Sequence, residues 1–169
     1  GWDGSRWYMQ ELTADNFVWT QKGKHGYDGG YWIRLHGHTW TNEEPVINSG
    51  WVGPYQGIMQ CNIFIEDFTK LDYASFGLSE SDKKEHIAQL QTLRSWFYLF
   101  LIDFFRHVPI PEKRGVLVSQ SAPEEVFAYI EKNLKESLPN LPKEGKIGRF
   151  NQAGAAALLV RLYLNAEVW

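Results

Sequence analysis

Residues 27–40 read YDGGYWIRLHGHTW, a stretch that places two tyrosines, two tryptophans, two histidines, an arginine and three glycines side by side. His36 and His38 bracket Gly37, and with His25 they are the residues whose type and spacing suggest a metal site. Two imidazoles at i and i+2 of an extended segment share a face, but zinc needs a third or fourth ligand, and the nearest acids, Asp28 and Glu43, stand at no recognised metal spacing. Histidines hydrogen-bonded inside an aromatic loop are the favoured account, and no metal ligand is assigned. Glu11 with Asp15, or Glu43 with Glu44, supply carboxylate pairs of the kind a glycosidase uses. That chemistry requires the pair to face each other across a cleft at one of two separations, so the acids read first as helix-end or surface groups. No Gly-x-Ser-x-Gly elbow, phosphate loop or dinucleotide fingerprint occurs, so no catalytic residue and no cofactor is assigned.

The aromatic residues offer a different chemistry. Six of the eight tryptophans (Trp2, Trp7, Trp19, Trp32, Trp40, Trp51) fall in the first 51 residues. An indole gives a flat apolar face that suits the C–H face of a pyranose, while Arg, Asn and His side chains beside it hold paired hydroxyls. Trp19, Trp32, Arg34, His38, Trp40 and Asn42 are the candidate ligand-binding residues on these grounds, with His36 beside them. For any single tryptophan, sealing a loop onto a helix is the competing role. The set as a whole favours at least one ring left open for a ligand.

The elements that carry these residues follow from the pattern around them. Residues 1–50 hold eight of the fifteen glycines and lack a sustained 3.6-residue period; they are expected to be loops with short helical or extended pieces, including a helix over residues 5–12 and turns at YDGG and TNEEPVINSG. From residue 51 the pattern turns helical. Ile58, Cys61, Ile65 and Phe68 recur on one face of a helix, which places the lone cysteine in the core, where it is inert. SESD at 79–82 is a capping box opening a helix that Pro109 and Pro111 stop, apolar all round from Trp96 to Phe105, with Asp103 as a buried carboxylate in need of an arginine. SAPEE opens a third helix with Ser121 as N-cap and Glu124 in the box, and an Ala-rich fourth helix runs to Trp169.

Bulk composition narrows the classes. With 44% hydrophobic and 22% charged residues the chain is an ordinary folded protein, and a net charge of −3 gives no field for a phosphate-tracking nucleic-acid binder. One cysteine excludes an internal disulfide, and the longest apolar run, seven residues from Trp96, is too short to span a bilayer. No signal peptide is visible.

Five blocks then carry a resemblance. YDGGYWIRLHGHTWT, NSGWVGPYQGIMQCNIFIED, LRSWFYLFLIDFFRHVPIP, SAPEEVFAYIEKNLKESLPNLP and GRFNQAGAAALLVRLYLNAEVW resemble, in order, successive blocks of the SusD/RagB nutrient-binding lipoproteins. The resemblance implies a mainly α fold of tetratricopeptide-like antiparallel helix pairs (residues 51–169) beside an irregular aromatic- and glycine-rich loop region (residues 1–50), together the N-terminal part of a longer chain. It implies binding of an oligosaccharide or polysaccharide without cleavage, a SusC-like TonB-dependent transporter as partner, and a place on the outer-membrane surface of Bacteroidetes-type bacteria, through a lipid anchor that these residues do not include. A helical module that grips a partner protein, and a glycoside hydrolase fragment, are the alternative readings.

Overall fold

The computed structural model describes residues 2–113 and 115–169, with the side chains of the first helix described from residue 6 onward. The ring of Trp2 therefore lies outside the described residues. Six α-helices occur among them: α1 Trp2–Glu11, α2 Tyr31–His36, α3 Pro45–Lys70, α4 Glu80–Phe105, α5 Pro123–Ser137 and α6 Gln152–Leu164. Two short strands, β1 Val108–Pro109 and β2 Gln120–Ser121, pair antiparallel between α4 and α5. The chain divides into two compact units, Gly1–Tyr55 and Gln56–Trp169, with the division inside α3.

In the second unit, α4 packs on α5 and α5 on α6, the successive pairing of a tetratricopeptide-like array. Its core is α4: Tyr98, Leu101 and Ile102 are fully buried, as are Val126, Ile130 and Leu134 of α5 and Leu162 of α6. The capping box forms as expected. Ser79 Oγ accepts from Asp82 N at 3.2 Å, and the Asp82 carboxylate accepts from Ser79 N at 2.7 Å. The 3.6-residue recurrence of Ile58 and Cys61 puts both in the core, and burial pushes the Cys61 thiol up to about 11.

Several expectations are corrected. TNEEPVINSG is no simple turn: α3 already begins at Pro45, a residue whose fixed φ suits the first helical position. The helix also runs through Pro54. YWIRLH is helical rather than extended, and His38 has φ +54, so His36 and His38 do not share a strand face. Ser121 is not the cap of α5, because it is engaged in β2; Ala122 takes that place and Glu125, one residue later than expected, accepts from Ala122 N at 3.0 Å. The last helix stops at Leu164, where Asn165 donates from its amide to the Arg161 carbonyl at 2.8 Å, an asparagine at a helix end competing for the backbone. Asp103 is exposed rather than buried, and Arg161 lies 3.4 Å from it.

Candidate ligand-binding site

The first unit shows why YDGG is followed by an aromatic helix. Asp28, Gly29 and Gly30 all have positive φ, +41, +69 and +79, a left-handed run that glycine adopts freely and an aspartate tolerates best among ordinary residues. The run folds Asp28 back over α2, and its carboxylate accepts from Trp32 Nε1 at 2.7 Å. Trp32 thereby keeps its polar edge satisfied while its ring, 7% exposed, enters a core with Leu12, Leu35 and Val46. Around it the rings of Tyr8, Tyr31 and Trp19 lie at centroid distances of 4.4, 4.1 and 5.6 Å.

Arg34 comes off the same helix. Its Nε and Nη2 donate to the two oxygens of Glu44 at 2.5 and 2.8 Å, and Nη1 donates to the Gly29 carbonyl at 2.8 Å. Glu44 is buried, and the guanidinium beside it holds its carboxyl below the usual glutamate value. The ten-residue clamp closes the loop after α2, which Gly37 and Thr39 start by donating to Ile33 and Arg34 carbonyls at 2.8 and 2.9 Å. On that loop His38 and Trp40 stand ring to ring at 5.4 Å, both exposed, with Asn42 exposed two residues on.

Trp19 occupies a separate position. Its ring is 40% exposed, with an edge set against Tyr8 at 6.1 Å, and it borders a cleft of about 260 Å³ lined by Val18, Thr20, Lys22, His25 and Gly26. Gly26, at φ +80, is required here: a Cβ would stand 2.6 Å from Trp19 Nε1. Behind Arg34 and Glu44 a second cleft of about 450 Å³ includes Asp28, Tyr31, Thr41 and Glu43.

The structure thus sorts the sequence candidates. Trp19, Trp40, His38 and Asn42 present surface; Trp32 is buried with its indole N–H on Asp28, and Arg34 is half-exposed at the rim of the second cleft with its guanidinium committed to Glu44 and Gly29. Lys22 escaped the sequence reading, which weighed His25 only as a metal ligand and Glu44 only as one of a carboxylate pair. Glu44 looked like a surface acid because its arginine is ten residues away, and the Lys-Gly-Lys-His run was the available signal for a tight basic turn. Among the described residues, no group of three or more His, Cys, Asp or Glu stands ready to hold a metal ion, and no helix is long and apolar enough to cross a membrane.

In the second unit a cleft of about 660 Å³ is lined by Asn62, Glu66, Asp67, Glu112 and Lys113, with Arg94 at its wall. Arg94 is buried; it donates to Asn62 Oδ1 and Asn133 Oδ1, both at 2.7 Å, and its guanidinium stands 5.4 Å from the Tyr129 ring centre. Amide acceptors from α3 and α5 converge on this one side chain of α4, which reads as a structural lock.

Comparison with known proteins gives a consistent picture. A SusD-like family model described as starch-binding associating with outer membrane matches residues 6–164. The starch-binding protein SusD of Bacteroides thetaiotaomicron is 27% identical over 115 residues, 66% of this chain and 20% of that protein. A SusD-like protein of Bacteroides ovatus is 24% identical over 128 residues, 73% of this chain and 23% of that protein. The chain therefore spans about a fifth of the length of these relatives. Among solved structures, a laminarin-binding SusD-like protein matches 98% of this chain and 36% of its own at a TM-score of 0.82 and 24% identity. Surface glycan-binding protein A from Bacteroides thetaiotaomicron, in complex with laminarihexaose, matches 95% of this chain and 33% of its own at 0.78 and 19%. At these identities the structural matches establish the fold.

Proposed function

The chain belongs to the SusD-like family of starch-binding proteins that associate with the outer membrane, and from that premise we propose that it is part of a surface glycan receptor. Its first unit holds an oligosaccharide or polysaccharide on the exposed faces of Trp19 and Trp40, with His38 and Asn42 supplying polar contacts. The observation that carries this reading is an exposed ring on a buried brace: Trp19 is 40% exposed over Trp32, which is 7% exposed, and Trp40, also 40% exposed, stands on the loop that Arg34 and Glu44 close. A ring held in place by packing and presented to water loses little conformational freedom on binding, which is how rigid aromatics raise affinity for flat apolar ligand faces.

The receptor binds without cleaving and passes its ligand to a SusC-like TonB-dependent transporter, with a lipid anchor outside these residues keeping it on the outer-membrane surface. Family membership supports this assignment. Calorimetric titration of the natural full-length protein against a glycan panel tests the reading. Trp19→Ala and Trp40→Ala are each expected to weaken binding by roughly 5- to 50-fold, a loss of about 1–2 kcal/mol of ring contact. Unchanged affinity in both variants removes these rings from the site, and release of reducing sugar on prolonged incubation replaces the receptor with an enzyme.

A further inference from the structure

The Trp19 cleft differs from a neutral-sugar platform in its charge. Lys22 and His25 form an isolated antiparallel bridge, with Lys22 N donating to the His25 carbonyl at 2.9 Å and His25 N to the Lys22 carbonyl at 3.1 Å. Gly23, at φ +60, turns the tip between them. Residues directly opposed across such a bridge project their side chains on the same side of the ribbon, and both line the cleft beside the indole. Lys24 in the same tip is exposed and adds a third basic residue. None of the six lining residues is acidic, although the chain as a whole carries a net charge of −3. Neither Lys22 nor His25 has an ion-pair partner among the described residues.

From this arrangement we infer that the Trp19 cleft is a subsite for a sugar ring bearing a negative charge, a uronate carboxylate or a sulfate ester, read by Lys22 and His25. The inference deepens the glycan-binding reading above and rests on it. An ammonium group carries three donors and no acceptor, and Thr20 and the imidazole are the only side-chain acceptors in the lining. A neutral pyranose, whose hydroxyls both donate and accept, leaves such a lining half used; an anionic group takes every donor through charge-assisted bonds. The cleft volume of about 260 Å³ lies at the lower end of the sizes ligand pockets take, in keeping with a single ring laid on one indole.

The test titrates the natural full-length protein, wild type and the Lys22→Gln, His25→Gln and double variants, with three probes: a neutral β-glucan hexasaccharide, an oligogalacturonate and a sulfated galactan oligosaccharide. The inference expects an acidic probe to bind more tightly than the neutral one and to weaken between 50 and 200 mM salt. Each single variant then lowers acidic-probe affinity roughly three- to fivefold and the double variant about tenfold, a larger loss than the neutral glucan shows in the same variants. Preference between the two acidic probes identifies carboxylate or sulfate as the group read. Tight binding of the neutral glucan, with no gain for either acidic probe or no loss in the double variant, overturns the charged subsite and leaves the receptor reading in place. Failure to bind any glycan overturns both. Circular dichroism of the double variant, whose two substitutions sit on an exposed tip, is expected to match wild type.

Discussion

The ion pair between Arg34 and Glu44 decides whether the Trp40 loop is held, and its pH dependence follows from one carboxyl. Glu44 is buried against a bidentate guanidinium, and its folded pKa is lowered from 4.5, first by that hydrogen bond. A carboxyl with a depressed folded pKa contributes stability that is fully present above the unfolded value and is lost as pH falls through the folded one. Glu44→Gln is therefore expected to lower the melting temperature by several degrees at pH 7, with the gap narrowing below about pH 4.5 and closing at lower pH. Thermal denaturation of both proteins from pH 7 to pH 3 checks this; a gap that stays constant with pH would mean the loop is held by packing alone. At this scale the sequence was legible in kind and not in orientation. It marked Trp32 and Arg34 as members of an aromatic, polar cluster, yet the left-handed run at Asp28, Gly29 and Gly30 that turns Asp28 onto Trp32 is a backbone choice that residue types permit and do not dictate.

Among the elements, α3 and α4 are tied together at two points of opposite character. Gly57 lies against the ring of Phe97 so closely that a Cβ would overlap it. Alanine in place of glycine gains up to about 1 kcal/mol of helix propensity, but crowding a packed core costs typically 1–3 kcal/mol, so Gly57→Ala is expected to destabilise on balance. Phe97→Leu in the same chain gives the methyl room, and urea titration of the single and double variants should reveal a favourable coupling between the two substitutions. The second tie is Arg94, whose removal strands the buried oxygens of Asn62 and Asn133. Arg94→Ala is expected to cost about 2–4 kcal/mol, and Arg94→Lys nearly as much, since an ammonium cannot reach two amides with the spread of a guanidinium. Wild-type-like urea midpoints for both variants would show that the amides find other donors. The Ser79 and Asp82 box and the spacing of Ile58 and Cys61 were legible because they are local, whereas the cap of α5 was read one residue early because the strand pairing that engages Ser121 is not. The start of α3 at Pro45 was hidden, because Gly50, Gly53, Pro54 and Gly57 argue against a helix until the close packing of Gly57 on Phe97, invisible in one dimension, gives a reason for glycine there.

For the whole molecule, the division of labour between helices and loops makes a prediction that hydrogen exchange can read. Opening free energies within one protein run from near zero in loops up to the global stability in the core. Tyr98, Leu101, Ile102, Ile130 and Leu134 are wholly buried and sit within the hydrogen-bonded ladders of α4 and α5, so their amides are expected to exchange last. Residues 17–26 make one reciprocal backbone pair among the described residues, Lys22 with His25, and are expected to exchange within seconds. A ligand that binds across Trp19 and Trp40 suppresses opening of the segments it touches, by about 2.7 kcal/mol at a hundredfold excess over Kd, which slows their exchange roughly a hundredfold. Added glycan is thus expected to protect residues 17–26 and 37–43 while the amides of α4 and α5, already slow through global unfolding alone, change far less on the same timescale. Protection gained in α5 or α6 with residues 17–26 unchanged would place the ligand on the helical array. The contrast is sharp because the buried ladders of α4 and α5 open only with the whole fold, whereas residues 17–26 are held by one reciprocal backbone pair among the described residues.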